Sequence, residues 1–141
     1  DGSYLGYHKN PAIDALIAGF NALPTPMCQI VDEHFHGAAT RVPVGNTAYA
    51  MRDSGFNVLL AAQWLDPTDD KRCIDWCKDT YKSLTPYMST KRYVNYMNED
   101  DLRDAASLAA VYGPNLPRLR QIKKQYDPEN VFHLNLNIPP A

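Results

Sequence analysis

Apolar positions change period several times along the chain, and each change marks an element. From Asn10 onward, Ile13, Leu16, Ile17 and Phe20 recur at the three- and four-residue spacing of one helix face. Asn10 suits the cap of that helix and Pro11 its first turn, where proline's fixed φ and missing N–H cost nothing. Pro24-Thr25-Pro26 ends it. Met27 to His34 alternates like a strand, with Cys28, Ile30 and Asp32 on one side and Met27, Gln29 and Val31 on the other. Phe56 to Leu65 is almost continuously apolar, the pattern of a central strand covered on both faces. Asp66-Pro67-Thr68-Asp69 gathers acids at a helix start, where the dipole favours them. Ile74, Cys77, Tyr81 and Leu84 form the stripe this helix is expected to bury, and Pro86 stops it. Lys91 to Met97 is a short β-prone segment. A helix is expected from about Glu99 to Tyr112, closed by Gly113, a natural residue to end a helix. Another begins near Asn115, carries Leu116, Leu119, Ile122 and Tyr126 on one face, and stops at Asp127-Pro128. An extended, asparagine-rich tail follows. Residues 1–9 read as the end of a strand or loop, residues 43–55 as loop, and the almost bare Gly37-Ala38-Ala39 as a place of close packing.

This order of helices and strands, with irregular connections, predicts an α+β fold with an antiparallel sheet. Composition changes the picture mainly by exclusion. With 141 residues there is enough chain for one ordinary domain with a buried core. A net charge of −2 argues against a general binder of nucleic acid or anionic membrane. Every apolar run is broken by charges well short of a membrane span. Cys28, Cys73 and Cys77 are an odd set; helical geometry disfavours a bridge between the last two, so all three read as small core residues. The chain opens at Asp1 without methionine, basic region or apolar leader, and is expected to have been cut from something larger.

Candidate chemistry concentrates near Tyr93-Val94-Asn95-Tyr96, where two phenols and a carboxamide offer a proton acceptor and hydrogen-bond donors. A phenol's ordinary pKa is near 10, so a phenol acting as base needs a positive charge or a further donor beside it. The bland alternative is aromatic packing with a turn asparagine. His34 and His36 share one face of a strand but are too few to hold a metal, and no metal site is expected. Arg118, Arg120, Lys123 and Lys124 read as the solvated face of an amphipathic helix. Asn130, Asn135 and Asn137 carry amides that can pair with the polar edge of a heterocycle, or tie down the tail by side chain–backbone bonds.

Longer motifs add a resemblance. Tyr93-Val94-Asn95-Tyr96, Tyr112-Gly113-Pro114-Asn115, Arg118-Leu119, Lys123, Tyr126-Asp127-Pro128, Asn130, Phe132, Asn135 and Asn137-Ile138-Pro139 follow one another in an order that resembles the C-terminal segment of the berberine-bridge-enzyme-like FAD-linked oxidases, flavoproteins of the vanillyl-alcohol-oxidase type. Gly37, Arg41-Val42-Pro43, Thr47-Ala48-Tyr49, Arg52 and Trp64 are similar to the strand pair before it, so the resemblance covers about residues 27–140. It implies that residues 1–90 are the C-terminal part of a substrate-binding domain, contributing late strands of its antiparallel sheet flanked by helices. Residues 91–141 would then be a helical segment returning to the FAD-binding domain. It implies FAD as cofactor, attached through residues outside this chain, and an N-terminal FAD-binding portion or chain as partner. Carried over position by position, Tyr96 is implied as the phenol that removes a hydroxyl proton while hydride leaves for the flavin. Tyr93 lines or supports the same pocket, and Asn95, Asn135 and Asn137 face the flavin. The implied activity is oxidation of an alcohol or hemiacetal carbon of a sugar or natural product, with O2 as acceptor. No nucleic-acid or membrane partner is implied, and many relatives are secreted. Two positions depart from the family pattern: Leu59 is apolar where many relatives are polar, and Leu136 stands where glutamine is common. Both favour the alternative of a non-redox binding or scaffold subunit, or a flavin-independent cyclase on the same fold.

Overall fold

The computed structural model describes residues 2–5, 10–97, 105–134 and 136–141. Among these, four strands form one sheet in the order β2-β3-β1-β4: β1 (Gly2–Leu5), β2 (Gln29–Phe35), β3 (Gly55–Ala61) and β4 (Met88–Arg92). β3 pairs antiparallel with both β1 and β2. The helices are α1 (Asn10–Asn21), α2 (Ala38–Arg41), α3 (Asp70–Leu84), α4 (Ala105–Tyr112) and α5 (Leu116–Tyr126). The α+β architecture with an antiparallel sheet is the one its sequence pattern predicts. Packing divides the chain into two compact units.

The first unit comprises residues 1–35 and 54–90. Register sets Asp32 opposite Val58 and Ile30 opposite Leu60, so these share a face of the sheet. Val58 and Leu60 on that face join Cys28, Cys73, Trp76 and Leu84 in one buried cluster. Cys73 and Cys77 are free thiols, and burial pushes both above the ordinary value for cysteine. They remain protonated and pack as small apolar groups. On the other face of β3, Asn57 is fully buried and donates to Glu33 Oε2 at 2.7 Å.

The faces these two helices bury coincide only in part with the expected ones: Leu16, Cys77, Tyr81 and Leu84 pack on the core as expected, and their stripe-mates do not. Ile17 and Phe20 of α1 are 53% and 61% exposed, whereas Ala12 and Gly19 are buried. The reason is close approach: Trp76 of α3 donates its indole N–H to the Gly19 carbonyl at 2.8 Å. Only small residues let the backbone of α1 come that near. On α3 the buried line is Cys73, Trp76, Thr80 and the expected Leu84, with Cys77 and Tyr81 half-buried beside it and Ile74 exposed. A Cβ built on Gly19 would lie 2.5 Å from Thr80 Cγ2. Gly19→Ala is therefore expected to destabilise this unit by about 1–3 kcal/mol through overpacking, although alanine is the better helix former by about 1 kcal/mol. Adding Thr80→Ser, which removes Cγ2, restores the loss. Equal thermal midpoints for wild type and Gly19→Ala would refute the close contact.

β3 ends at Ala61, short of the apolar run's end at Leu65, because the chain leaves the ladder to meet the next helix. There Trp64 Nε1 donates to Asp70 Oδ1 at 2.5 Å, and Asp66 Oδ1 accepts from the Thr68 backbone N–H at 2.9 Å. Residues 43–54 form the expected loop, with a 3-10 turn at Val44–Asn46, and β3 begins at Gly55. The close packing expected at Gly37 is corrected. Gly37 meets nothing within 4 Å of a built Cβ; it is glycine because φ is 65° there.

Residues 36–53 and 91–141 form the second unit. Gly113, at φ 49°, turns the chain from α4 through a 3-10 turn into α5. Asn115 is buried and gives both amide hydrogens to the carbonyls of Val44 and Thr47, at 2.9 and 3.0 Å. These bonds hold the Val44–Asn46 turn against the start of α5. The expected apolar face of α5 is partly open: Ile122 and Tyr126 are exposed. Its cations are not all solvated, for Arg120 donates to the carbonyls of Pro139 and Pro140, both at 3.3 Å, and so straps the tail.

Candidate functional site

Although Tyr93-Val94-Asn95-Tyr96 is β-prone in sequence, β4 stops at Arg92 and Val94–Tyr96 forms a 3-10 turn. The difference decides what the side chains can do. In a strand, positions 93 and 96 point to opposite faces. In a 3-10 turn, residues three apart eclipse, and the Tyr96 N–H bonds the Tyr93 carbonyl at 3.0 Å. The two rings accordingly meet edge to face, centroids 5.0 Å apart at 88°. Between them in sequence, the exposed Asn95 donates its amide to the Tyr93 hydroxyl at 3.0 Å. The turn thus brings Tyr93, Asn95 and Tyr96 together.

Tyr49 and Arg52, neither of which the sequence pattern marks as a site residue, join this cluster. Tyr49 stands edge-on to Tyr93, centroids 6.1 Å apart at 90°. The Arg52 guanidinium lies over the Tyr49 ring at 4.8 Å. Their only sequence signal is the spacing Thr47-Ala48-Tyr49…Arg52 within the family-like motif. Beside Tyr93 and Tyr49 is a cavity of about 190 Å³ with an almost wholly apolar lining that includes Met51, Val94, Val111 and Tyr112. Burial pushes the Tyr112 phenol above its ordinary value, so it stays protonated.

The tail asparagines divide. Asn135 lies outside the described residues. Asn137 is half-buried in the tail strapped by Arg120, and its Oδ1 is buried without a hydrogen-bond partner among the described residues. Such an orphaned acceptor costs about 1–3 kcal/mol unless a ligand supplies the donor. An N–H at the polar edge of a heterocycle such as flavin is a donor of that kind. Asn130 adopts φ 53° where the tail leaves α5. His34 stacks on Phe56, centroids 4.5 Å apart.

Asp127 anchors that exit. Its carboxylate accepts from Lys123 Nζ at 2.5 Å and from the backbone N–H groups of Val131 and Phe132 at 2.8 and 3.0 Å. The Lys123 hydrogen bond, opposed by burial and aided by the two N–H groups, holds its pKa below the ordinary 3.8. A depressed carboxylate stabilises the fold fully above its unfolded value, and the contribution is lost as pH falls through the folded one. Amide protection at Val131 and Phe132 should therefore hold at neutral pH and collapse only below about pH 4. Asp127→Asn should lose it at all pH values. Unchanged protection in that variant would remove Asp127 as the anchor.

Comparison with known proteins gives the following. The family described as berberine and berberine-like matches residues 92–139. An FAD-linked oxidoreductase of Dictyostelium discoideum is 32% identical over 132 residues, covering 91% of this chain and 27% of that protein. The aclacinomycin-N/aclacinomycin-A oxidase of Streptomyces galilaeus is 29% identical over 121 residues, covering 75% of this chain and 22% of the oxidase. Among solved structures, a glycopeptide hexose oxidase complexed with teicoplanin matches with a TM-score of 0.82 at 23% identity, covering 99% of this chain and 32% of its own. The chain spans about a quarter of the length of the curated relatives it matches.

Proposed function

From the premise that this chain belongs to the berberine-bridge-enzyme-like FAD-linked oxidoreductases, we propose that it serves a flavoenzyme which oxidises an alcohol or hemiacetal carbon of a sugar or natural product, with O2 as electron acceptor. FAD, when bound, supplies the acceptor for the substrate's hydride. The chain's own residues handle the proton and the orientation. Tyr96 takes the hydroxyl proton as the carbonyl forms, and Tyr93 holds the ring of Tyr96 and lines the pocket. Asn95 and Asn137, with Asn135, would hold the flavin. The remainder of the FAD-binding structure comes from a further portion or chain, and the substrate is a small molecule.

The observation that supports this reading is the 3-10 turn, which sets two phenols edge to face with a carboxamide donating to one of them. A packing role alone would not call for Asn95, which is exposed. The aclacinomycin oxidase and the glycopeptide hexose oxidase act, by their names, on aclacinomycins and on a hexose, and sugars and natural products are the substrate classes to try. Substrate-dependent release of hydrogen peroxide by the intact protein, with reducing sugars and with aromatic polycyclic alcohols, tests the reading. Turnover of neither class, or binding without peroxide, would favour the non-redox alternative.

A further inference from the structure

We propose that Arg52 is a positioning residue for this reaction, acting through Tyr49 and Tyr93 on Tyr96; the inference rests on the proposed role of Tyr96. The guanidinium fork ties the helix α2 to the segment after the 3-10 turn, Nη1 donating to the Ala39 carbonyl at 2.9 Å and Nη2 to Thr47 Oγ1 at 2.7 Å. Thr47 Oγ1 in turn donates to the Tyr49 carbonyl at 3.4 Å. The same guanidinium covers the Tyr49 ring face. One side chain thus fixes both the backbone carrying Tyr49 and the plane of its ring.

That plane matters because of what stands at its edge. Edge-to-face contacts are directional, the positive ring edge meeting a negative ring face. Tyr49 is perpendicular to Tyr93, and Tyr93 is nearly perpendicular to Tyr96. Three phenols therefore run in series from a cation locked to the backbone to the proposed base. A tilt of Tyr49 is passed on as a displacement of Tyr93, and then of Tyr96. Reaction rates are steep in such displacements, since about 1 Å of misplacement can cost a hundred-fold. Arginine is required because its planar fork binds two acceptors while its face stacks on a ring, and a lysine ammonium does not do both. Arg52 Nε is buried and has no hydrogen-bond partner among the described residues, so the two Nη bonds are the hydrogen bonds that orient the fork there.

The test uses the intact flavoprotein, with glucose as reductant under anaerobic conditions. Arg52→Ala and Tyr49→Leu should each lower the limiting rate of flavin reduction by about ten-fold or more, with KM changed less than two-fold. The double variant should be no slower than the slower single one, since both break one series. Tyr49→Phe keeps the ring and should lose much less than Tyr49→Leu, whereas Arg52→Lys should stay slow. Additive losses, a loss in Tyr49→Phe as large as that in Tyr49→Leu, or a change confined to KM would overturn the proposal. If Arg52→Ala does not fold, Thr47→Val removes one acceptor of the fork and should give a smaller loss of the same kind. A readout independent of substrate is the 19F signal of 3-fluorotyrosine at position 93. It should sharpen through faster ring flips in Arg52→Ala and not in Tyr49→Phe, and equal linewidths would overturn the series. Tyr96→Phe in the same assay separates the two levels. If it reduces like wild type, the base role fails. If it is slow while Arg52→Ala and Tyr49→Leu are fast, only the positioning role fails.

Discussion

Replacing Tyr96 with phenylalanine is expected to leave FAD bound and to slow flavin reduction by substrate about 10²- to 10⁴-fold, the usual worth of a general base. The substitution removes one oxygen and leaves the ring, so the edge-to-face contact with Tyr93 at 5.0 Å survives. Packing and the turn's own hydrogen bond, from the Tyr96 N–H to the Tyr93 carbonyl, are likewise untouched. A purely structural Tyr96 would therefore show almost no effect. If it acts as base, the loss falls on the reductive step and not on affinity, because the hydroxyl is needed when the O–H bond breaks. Stopped-flow reduction in the absence of oxygen reads that step alone. Unaltered reduction kinetics would take Tyr96 out of the base role and leave the phenol cluster as packing.

The second large effect concerns the sheet. Leu84 has no exposed surface and sits in the cluster of Cys28, Val58, Leu60, Cys73 and Trp76. Cutting it to alanine removes buried methyl groups and leaves a cavity that the cluster cannot fully close, a loss of about 2–5 kcal/mol. Leu84→Met keeps the volume and should cost less than about 1.5 kcal/mol. Hydrogen exchange of the β3 amides in the intact protein measures this local stability directly. Comparable protection in the alanine and methionine variants would mean that the helix α3 does not hold β3 through this residue.

Much of this fold was legible because hydrophobic period is a strong signal where an element has one covered face. β2, β3 and α3 lie where alternation and helical spacing place them. What escaped the pattern is instructive. Of the stripe Ile13–Leu16–Ile17–Phe20, Leu16 packs on the core while Ile13, Ile17 and Phe20 are exposed, and α1 turns the small Ala12 and Gly19 inward. Trp76 and Thr80 need a backbone at close range, and residue size decided where hydrophobicity alone could not. Tyr93, Val94 and Tyr96 are all β-prone by type, but a 3-10 turn forms there. Local propensity is weak against tertiary packing, and it is the turn, not a strand, that puts the two phenols side by side.

For the candidate site, the residue types were readable and their assembly was not. Tyr93, Asn95 and Tyr96 are neighbours in sequence, and their proximity was visible at once. Tyr49 and Arg52 lie some forty residues earlier, and only the folded second unit brings them to Tyr93. Asp127 likewise belongs to a motif the resemblance picked out, but its bonds to Lys123, Val131 and Phe132 explain why a carboxylate is needed there.

The central claim, that this chain serves a redox flavoenzyme, is tested most directly by the visible absorption of the intact native protein before and after anaerobic addition of an alcohol or lactol substrate. The account predicts a flavin band that bleaches on addition and returns with air. A colourless native protein, or a flavin band indifferent to sugars and to aromatic polycyclic alcohols alike, would contradict it.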